Sequence, residues 1–513
     1  MGDELKVSSS HNEENKDTRL QMECFWDKHS KDATLQGMML DTQAETLSVE
    51  EQPEILSLLP SVTGKSVLEL GAGIGRFTGI LAESAQHVTA VDFMETFIAK
   101  NRDNNGQHKN IEFLQADVIK LDFPLGSFDV IFSNWLLMYL TDEEVVQLAR
   151  KMLSWLSKDG FLFFRESCFH QSGNVKRQDF NPTVYRSPAY YNAVFQGTAQ
   201  THVISKDQKT DGGFDLIFSR SVQSYIKLKN NQNQICWLMQ KVQRNREANH
   251  GFETFQQFLD NQQYTRQGIL RYEKIFGDGY ISTGGPQTTK EFVAMLDLKP
   301  GQKVLDVGAG IGGGDFYMAQ TYSVEVVGMD LSSNTIGIAM ERAREYKDLK
   351  VQFEIADVTK RNYEAESFDV VYSRDTLLHI NDKSTLFHKF LTWLKPGGKL
   401  LISDYCCGDL PHTEAFTSYV AQRGYNLYTP KEYGKLLEAA GFINVKAQDQ
   451  TWQFMEILEA EKAKVEEERE EFLKEFSKED FQYLVDGWTN KLTRVKAGDQ
   501  KWGLFLAEKA VPK

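Results

Sequence analysis

The sequence predicts an α/β fold made of two copies of one domain, each a mostly parallel seven-stranded sheet with helices on both faces. The first observation is an internal repeat: VLELGAGIG at residues 67–75 recurs 237 residues later as VLDVGAGIG at 304–312. Three further segments recur in the same order at offsets of 238 to 240 residues. The second observation is that short apolar runs alternate with helix-like segments, which is typical of a parallel sheet covered on both faces.

The repeat predicts the strands of both copies in order. In the first copy the strand-like runs are KSVLELG, HVTAVD, IEFLQAD, FDVIFS and GFLFFRE. In the second they are KVLDVG, VEVVGMD, VQFEIAD, FDVVYS and KLLISDY, with helical patterns in NTIGIAMERAREY and KSTLFHKFLTWL. Three later runs, VQSYIKL, ICWLMQKV and WGLFLAEK, are candidate edge strands. The charged stretch 459–476 has many i,i+4 pairs and predicts a solvated helix.

The domain boundary is predicted where QRNREANHG, residues 243–251, breaks the apolar pattern. We therefore expect a first domain over residues 16–245 and a second over 246–513. The repeat is far longer than a solenoid repeat, so each domain should have its own core. The polar residues 1–15 are expected to be disordered.

Composition narrows the range of functions. The 58 basic and 72 acidic residues leave a net charge of −14, which argues against a general nucleic-acid binder. No apolar run approaches the ~18 residues needed to span a bilayer, and the polar start of the chain has no signal-peptide core. Scattered cysteines without a CxxC pair predict reduced thiols in a cytosolic protein, and no His and Cys cluster at metal-ligand spacing.

A glycine-rich turn follows the first predicted strand of each copy. Both turns contain the pattern Gly-x-Gly-x-Gly, at Gly71, Gly73, Gly75, Gly308, Gly310 and Gly312. Such a turn lets a ligand approach the backbone closely. The motif alone is weak, since it suits a dinucleotide-binding enzyme equally well.

Acidic residues at the strand ends sharpen the choice of ligand. Asp92 and Asp330 end the second strands, where a carboxylate can accept both ribose hydroxyls of a nucleoside. Asp117 and Asp357 follow the third strands, where they can hydrogen-bond an adenine amino group. Each aspartate alone could also be a helix cap. Together with GAGIG, the set resembles that of class I S-adenosylmethionine-dependent methyltransferases.

Over about residues 25–509 the chain resembles the tandem-domain phosphoethanolamine N-methyltransferases. The segments that carry the resemblance in the first half are FWDKHSKD, MMLD, VLELGAGIGRFTG, FSNWLLMYL and FFRESCFHQSGN. In the second half they are NQQYTRQGILRYEKIFGDGYISTGG, VLDVGAGIGGGDFYMA, YSRDTLLHI, SDYC, QRGYNLY, DGWTNKL and QKWGLF.

The resemblance implies that phosphoethanolamine is converted to phosphocholine by three methyl transfers. It implies that S-adenosyl-L-methionine binds once per domain and leaves as S-adenosyl-L-homocysteine. The phospho-monomethyl and phospho-dimethyl forms of ethanolamine would be the intermediates. We expect a monomer with no nucleic-acid partner, no membrane span and no metal.

Residue by residue, the resemblance implies three groups of site residues. The expected catalytic residues are Tyr264, Asp375 and His379. The expected cofactor-binding residues are Gly71, Gly73, Asp92, Asp117, Val118, Asn134, Gln263, Ile281, Ser282, Gly308, Gly310, Asp330, Leu331, Asp357, Val358 and Arg374. The expected acceptor-binding residues of the second domain are Tyr264, Ser282, Tyr405, Arg423, Tyr425 and Lys491. Leu331 and Val358 replace the isoleucine of some relatives, and the segment that includes Tyr264 is expected to fold over the site.

Several of these roles follow from the residues themselves. Asp375 and His379 are spaced i,i+4, so in a helix they would share a face and could hydrogen-bond, which would fix the imidazole tautomer. The alternative is a helix-capping aspartate with an unrelated histidine. Arg423, Lys491 and tyrosine hydroxyls are donors that a phosphate needs, although either cation alone could be a surface charge. Tyrosine faces also suit a nitrogen that becomes a quaternary ammonium.

The two halves differ on the acceptor side. The repeat pairs four positions with unlike residues: Asn134 with Arg374, Trp135 with Asp375, Tyr139 with His379 and Ser167 with Tyr405. The first half therefore lacks the Asp/His pair, and the unlike acceptor sites predict two steps of a pathway. The resemblance implies that the first methylation takes place in the first half and the later two in the second half. Weaker candidates for the first acceptor site, each of which could instead pack or lie at the surface, are Trp26, His29, Tyr139, Arg165, Tyr185 and Arg186.

Three other functions stay open at this point. The acceptor could be another small molecule, such as a sterol, a quinone or a glycine-like amine. One half could be a non-catalytic scaffold, although the acids are intact in both. A nicotinamide oxidoreductase is least favoured, because nothing supplies a hydride-acceptor site and the third acid would have no role.

Overall fold

The computed structural model describes residues 20–175, 181–205, 208–247, 249–346 and 349–512. The segment 1–15, expected to be disordered, lies outside these residues. The chain divides into two compact units between Phe255 and Gln256. The sequence pattern placed the boundary at 245/246. The following segment stays with the first unit because Glu253 pairs with Arg244 (2.5 Å) and with Arg246.

The first unit contains a mostly parallel sheet. Its strands are β1 (Ser66–Leu70), β2 (His87–Asp92), β3 (Ile111–Gln115), β4 (Phe128–Asn134), β5 (Leu156–Ser167), β6 (Ala199–Ser205), β7 (Gln208–Ser221) and β8 (Gln234–Gln243). Seven of them run in the order β3-β2-β1-β4-β5-β8-β7, and β6 pairs with β7. The first five are parallel, whereas β8 and β7 are antiparallel additions.

Helices of the first unit connect these strands. They cover residues 20–29, Leu35–Met39, Ala44–Leu58, Thr78–Ser84, Glu95–Asn105, Asp142–Trp155, Pro188–Gly197 and Gln223–Lys229, with a 3₁₀ turn at Leu137–Tyr139. Helix Asp142–Trp155 begins with a capping box between Thr141 and Glu144, which satisfies two N–H groups at its start.

One predicted strand is wrong: VQSYIKL forms helix Gln223–Lys229 instead of an edge strand. Glu54, far away in the sequence, accepts hydrogen bonds from the backbone N–H of Gln223 (2.7 Å) and of Ser224 (2.8 Å). This carboxylate satisfies donors at the helix start that a local cap would otherwise serve. Strand propensity is a weak guide where such a tertiary contact competes with it.

The second unit repeats the same strand order. Its strands are β9 (Lys303–Val307), β10 (Glu325–Asp330), β11 (Val351–Ala356), β12 (Phe368–Arg374), β13 (Leu394–Cys407), β14 (Ile443–Asp449) and β15 (Gln500–Glu508). They run β11-β10-β9-β12-β13-β15-β14, with β15 antiparallel to both of its neighbours. Both units are therefore doubly wound sheets of seven strands in line, as the sequence predicts.

Helices of the second unit cover both faces of its sheet, and the first of them begins at the unit boundary. The α-helices are Phe255–Phe258, Arg266–Phe276, Gly285–Ala294, Gly313–Tyr322, Ser333–Ala343, Lys383–Trp393, Glu414–Arg423, Pro430–Ala439, Thr451–Glu467, Arg469–Phe472 and Lys478–Lys496. A π-helical turn forms at Leu259–Gln263 and a 3₁₀ turn at Leu377–His379. No helix among the described residues is long and apolar enough to cross a bilayer.

The charged stretch 459–476 is helical over most of its length, within Thr451–Glu467 and Arg469–Phe472, but it is not wholly solvated. Glu461 is 8% exposed and accepts hydrogen bonds from Trp488 Nε1 and from the Gly284 backbone N–H, both at 2.8 Å. The i,i+4 charge pattern predicts the helix correctly. It gives no sign of the tertiary contact that buries one of its carboxylates.

Candidate active site

Both glycine turns have backbone conformations that favour glycine. In the first unit φ is 73° at Gly71 and 54° at Gly73, and in the second it is 88° at Gly308 and 57° at Gly310. The side chains of Met38 and Ile281 lie over Gly73 and Gly310, so a Cβ there would meet them as well as straining the backbone. The turns are therefore built for close approach of the chain to a ligand.

An aspartate fastens each turn to the end of the neighbouring strand. Asp92 Oδ2 accepts a hydrogen bond from the Gly73 N–H (2.8 Å), and Oδ1 accepts one from Met94 (2.9 Å). Asp330 does the same with Gly310 (3.1 Å) and Ser332 (2.9 Å). Burial raises the pKa of both carboxyls to about 6, although the backbone hydrogen bonds favour the ionised form.

The aspartates that follow the third strands, Asp117 and Asp357, have different surroundings in the two units. Asp117 and Val118 line the same cavity as the glycine turn of the first unit. Among the described residues that line the second cavity, Leu331, Asp357 and Val358 are not included. Asp357 accepts hydrogen bonds from the backbone N–H (2.9 Å) and hydroxyl (2.6 Å) of Thr359.

The second cavity gathers most of the predicted site residues. Those that line it are Gln263, Tyr264, Ile281, Ser282, Gly308, Gly310, Asp330, Arg374, Asp375, His379, Tyr405, Arg423, Tyr425 and Lys491. They come from the ends of four strands, β9, β10, β12 and β13, or the turns that follow them, and from separate helices and loops. Sequence reasoning missed the further lining residues with hydroxyl groups, which are Tyr272, Tyr280, Thr283, Thr289, Tyr372, Thr376 and Tyr419.

The segment that carries Tyr264 lies against the cofactor turn. Tyr264 and Ile281 pack on a buried cluster that includes Ile311, the residue between two turn glycines. Asp260 accepts hydrogen bonds from the hydroxyls of Ser332 (2.7 Å) and Ser333 (2.6 Å), which fixes the π-helical turn before Tyr264. Such π-turns are frequent at functional sites.

The predicted helical pair of Asp375 and His379 needs correction. Asp375 has φ of 49° and precedes the 3₁₀ turn, so the two residues do not share a face of an α-helix. Asp375 Oδ1 accepts hydrogen bonds from Trp502 Nε1 (2.8 Å) and the Ser403 hydroxyl (3.2 Å). Its Oδ2 is buried without a hydrogen-bond partner among the described residues.

His379 lies in the same cavity in a neutral state. Its ring stands edge-on to that of Tyr425, with centroids 5.1 Å apart. Burial, together with the positive charges of Lys383 and Arg423, lowers the pKa of His379 to about 4. The imidazole is therefore uncharged at neutral pH and can accept a proton or a hydrogen bond.

Cationic and aromatic side chains face each other across the acceptor end. The Lys491 ammonium lies 5.7 Å from the ring centroid of Tyr405 and 4.9 Å from that of Trp488. Burial lowers the pKa of Lys491. Arg423 ends helix Glu414–Arg423 beside Tyr425. Together they offer guanidinium, ammonium and phenol donors to one anion, next to aromatic faces.

The first cavity has a different acceptor end. Of the predicted residues it is lined by Gly71, Gly73, Asp92, Asp117, Val118, Asn134, Trp26, Tyr139 and Tyr185. Its other lining residues include several apolar ones, among them Met22, Met38, Met138 and Trp135. Trp26 stands edge-on to Tyr139, with centroids 5.2 Å apart. Its described lining includes Tyr139, Tyr185 and Tyr225 but, unlike that of the second cavity, no lysine or histidine.

Three weaker candidates of the first unit do not line the cavity in the described structure. Arg165 is fully buried and binds Glu51 (2.6 Å) and Asn134 (2.6 Å). Arg186 donates to the carbonyls at 137 and 140 and to a nearby aspartate, so it anchors a turn. The His29 ring packs 4.5 Å from that of Phe25. Sequence reasoning missed Arg76, which does line the cavity and directly follows GAGIG.

Comparison with known protein families agrees with the geometry of both units. A family model described as "Methyltransferase domain" matches residues 67–160, and a second model of that description matches 286–447. Each match covers a glycine turn and the acids that follow it. Fold and site together define a tandem class I methyltransferase, the class that uses S-adenosyl-L-methionine.

Relatives of the whole chain are more specific. A phosphoethanolamine N-methyltransferase of Triticum aestivum is 54% identical over 487 residues, 94% of each chain. Phosphoethanolamine N-methyltransferase 3 of Arabidopsis thaliana is 53% identical over 487 residues, 94% of this chain and 97% of its own. The chain belongs to the phosphoethanolamine N-methyltransferase family, and the predictions of this family, of an enzyme and of its fold are confirmed.

A solved structure agrees with this membership. Phosphoethanolamine N-methyltransferase 2 of Haemonchus contortus is 26% identical, with a TM-score of 0.72 over 91% of this chain and 98% of its own. That structure contains phosphomonomethylethanolamine and S-adenosylhomocysteine. The second of these is the product that the predicted cofactor would leave.

Proposed function

We propose that this chain converts phosphoethanolamine to phosphocholine by three successive methylations, the first in the first unit and the later two in the second. One observation carries the division: both units hold the same aspartate-to-glycine contact on the cofactor side, at Asp92 and Asp330, but their acceptor sides differ. The monomethyl ligand of the Haemonchus contortus relative supports a family in which a partly methylated phosphobase is a substrate.

In the second unit, four side chains bind and orient the acceptor. Arg423, Lys491 and Tyr405 donate hydrogen bonds to its phosphate, and charged donors make such bonds stronger than neutral ones. The tyrosine faces, including that of Tyr425, surround the nitrogen as it gains methyl groups and positive charge. S-adenosylmethionine, when bound, supplies the methyl group. The residues place the nitrogen lone pair within roughly 3–3.5 Å of its target.

Removing a proton from the acceptor nitrogen is the main chemical difficulty. An alkylamine with a lysine-like pKa of ~10.4 is neutral at pH 7 at a cost of roughly 4–5 kcal/mol. Neutral His379 takes the proton from the substrate ammonium, which leaves the nitrogen lone pair free to attack the methyl group. Because Arg423 helps to lower the pKa of His379, a phosphate dianion bound at Arg423 offsets that effect and makes the imidazole a better base. Asp375, held by Trp502, adds negative charge beside the forming cation.

Product analysis tests the proposal. Purified wild type, Asp92→Ala and Asp330→Ala are incubated with labelled S-adenosylmethionine and phosphoethanolamine. We expect phosphocholine from wild type, accumulation of the monomethyl form in Asp330→Ala and no methylated product in Asp92→Ala. Given the monomethyl form, Asp92→Ala should still make phosphocholine. Loss of the same step in both variants would overturn the division, and no transfer by wild type would overturn the acceptor.

We also propose that the chain acts as a monomer in the cytosol, with the two partly methylated phosphobases as intermediates. The five cysteines form no disulfide, which supports a reducing compartment. Each unit has its own cavity lined by its own residues. Light scattering on purified protein tests the monomer, and a dimer mass at working concentration would contradict it.

A further inference from the structure

Trp135 lies in the first cavity where the second cavity has Asp375. The backbone conformation is the same at both positions, with φ of 55° at Trp135 and 49° at Asp375. Each residue also donates its backbone N–H to a carbonyl at equivalent positions of the repeat, that of Arg165 (2.9 Å) or of Ser403 (2.8 Å). Both side chains line their cavities. The two units therefore present an indole and a carboxylate from one equivalent backbone position.

The indole of Trp135 is fixed by two contacts. Its Nε1 donates a 2.6 Å hydrogen bond to Oε1 of Gln234, which is 2% exposed. The guanidinium of buried Arg165 lies over the ring, with its Cζ 3.9 Å from the ring centroid. A hydrogen bond and a stacked cation leave a large aromatic ring little freedom to move aside. The first cavity therefore has a rigid wall at this position.

The second unit makes the corresponding hydrogen bond in reverse. Gln234 pairs across the sheet with Ser167, and Trp502 pairs with Tyr405, which is the counterpart of Ser167 in the repeat. Trp502 therefore occupies the position of Gln234, and its Nε1 donates to Asp375 (2.8 Å). Trp502 is not among the described residues that line the second cavity. The exchange thus moves the indole away from the cavity wall in the second unit.

Trp135 lies at the acceptor end of the first cavity. It packs against a small cluster that contains Met22, Met138 and Tyr139. Tyr139 is the repeat counterpart of His379, the proposed base of the second unit. An indole here fills space that a carboxylate leaves open, and it brings no negative charge to a nitrogen that ends as a quaternary ammonium. Both differences disfavour an acceptor that already carries methyl groups.

We infer that Trp135 restricts the first unit to a single methylation, because the fixed indole crowds an amine that already bears a methyl group. The inference rests on the proposed function, since it assumes that phosphoethanolamine is methylated in the first cavity. Each transfer forms an N–C bond and breaks the methyl C–S bond of S-adenosylmethionine. The electron pair of that bond stays on sulfur, and the nitrogen releases a proton to water. In a fitted pocket one methyl group changes kcat/KM by roughly 10- to 200-fold, which is enough to stop the first unit at the monomethyl form.

A ratio of two rates tests this role: kcat/KM for phosphomonomethylethanolamine divided by kcat/KM for phosphoethanolamine. It is measured on the full chain with Asp330→Ala, which leaves only the first site active. In that background we expect Trp135→Ala to raise the ratio by about 10- to 200-fold, with labelled dimethyl product formed from phosphoethanolamine. Trp135→Phe, which keeps a smaller ring, should have an intermediate effect. Gln234→Leu, which removes the partner of the indole N–H, should raise the ratio by about 2- to 10-fold.

Trp452, which is 60% exposed, gives the control Trp452→Ala, and this variant should leave the ratio unchanged. Thermal unfolding checks that each variant folds, and if Trp135→Ala does not, Trp135→Phe and Gln234→Leu decide the outcome. An unchanged ratio in the folded variants, whether both activities persist or fall together, would overturn the inference alone. If Asp330→Ala with Trp135 intact makes no monomethyl product, or makes phosphocholine, the proposed function fails and the inference fails with it.

Discussion

The two cavities are alike where a cofactor would lie and unlike where an acceptor would lie. Asp92 and Asp330 make matching hydrogen bonds to their glycine turns and share a pKa raised to about 6. Beyond the fourth strand, the second cavity has His379 and Lys491, whereas the first has Tyr139 and methionines. The comparison teaches that the two units keep the same residues at strand ends one and two, where we propose that the cofactor binds, and differ beyond strand four, where we propose that the acceptor binds.

Removing His379, the proposed base, is expected to cause the largest difference in rate between the two units. His379→Ala should reduce the later two methylations by about 10²- to 10⁴-fold, because the ammonium of the acceptor would lose its proton acceptor. The first methylation should be unchanged. The measurement is kcat with phosphomonomethylethanolamine and with phosphoethanolamine. Tyr139→Phe at the counterpart position is the control, and it should spare the later steps. Equal loss of all three steps in His379→Ala would contradict separate acceptor sites.

Removing Lys491, the proposed phosphate-binding cation, should have a smaller effect, and this effect should fall on substrate binding. Lys491→Met should raise KM for phosphomonomethylethanolamine by about 10- to 100-fold with a smaller change in kcat, since it removes a charged hydrogen bond. Steady-state kinetics measures both constants. Lys496, exposed at the end of the same helix, gives the control variant Lys496→Met. If kcat changes and KM does not, Lys491 does not contribute to binding of the substrate before the reaction.

The pH dependence of cofactor binding should be the same in both units. In the proposed sites the ionised aspartate accepts the ribose hydroxyls, and burial raises the pKa of Asp92 and of Asp330 to about 6. Affinity for adenosylhomocysteine should therefore be full above this pH and fall by up to about 10-fold per pH unit below it. Calorimetry from pH 5 to 8 on Asp330→Ala and Asp92→Ala isolates the two sites. A flat profile at either site would mean that its aspartate does not bind the ribose.

The smallest expected effect is on stability. It comes from a buried position near the glycine turns that is Thr78 in the first unit and Asp315 in the second. Thr78 donates a 2.6 Å hydrogen bond to Glu69, whereas its counterpart Asp315 faces Asp306 with both oxygens unpartnered among the described residues. Burial and Asp306 raise the pKa of Asp315. Asp315→Thr should stabilise the second unit by about 1 kcal/mol. Because a raised carboxyl pKa costs stability as pH rises, the gain should be larger at pH 8 than at pH 5.

Calorimetric unfolding at the two pH values measures this gain. The reverse change in the first unit, Thr78→Asp, should destabilise by a similar amount and serves as the matched comparison. A loss of stability in Asp315→Thr would show that the aspartate has a partner that the threonine cannot replace.

The sequence predicts the shared parts of the molecule well and the unlike parts poorly. Strands, turns and Asp92 or Asp330 follow from local patterns that occur twice, so each copy checks the other. Helix Gln223–Lys229 was missed because its cap, Glu54, comes from a distant helix. The geometry of Asp375 could not be predicted, since a positive φ and a contact with Trp502 decide it. Arg76 gave only one signal, its place directly after GAGIG.

The hydrogen bond from Trp502 to Asp375 has a consequence for the order in which the enzyme is made. Trp502 lies on β15 (Gln500–Glu508), which follows the other described strands of the second unit in the sequence. The carboxylate of the second site thus receives its support from a strand that is synthesised after the other described strands of its sheet. Among the described residues that line the first cavity, Gln234 is the last in the sequence. The ribosome therefore synthesises the described lining of the first cavity before the strand that supports Asp375.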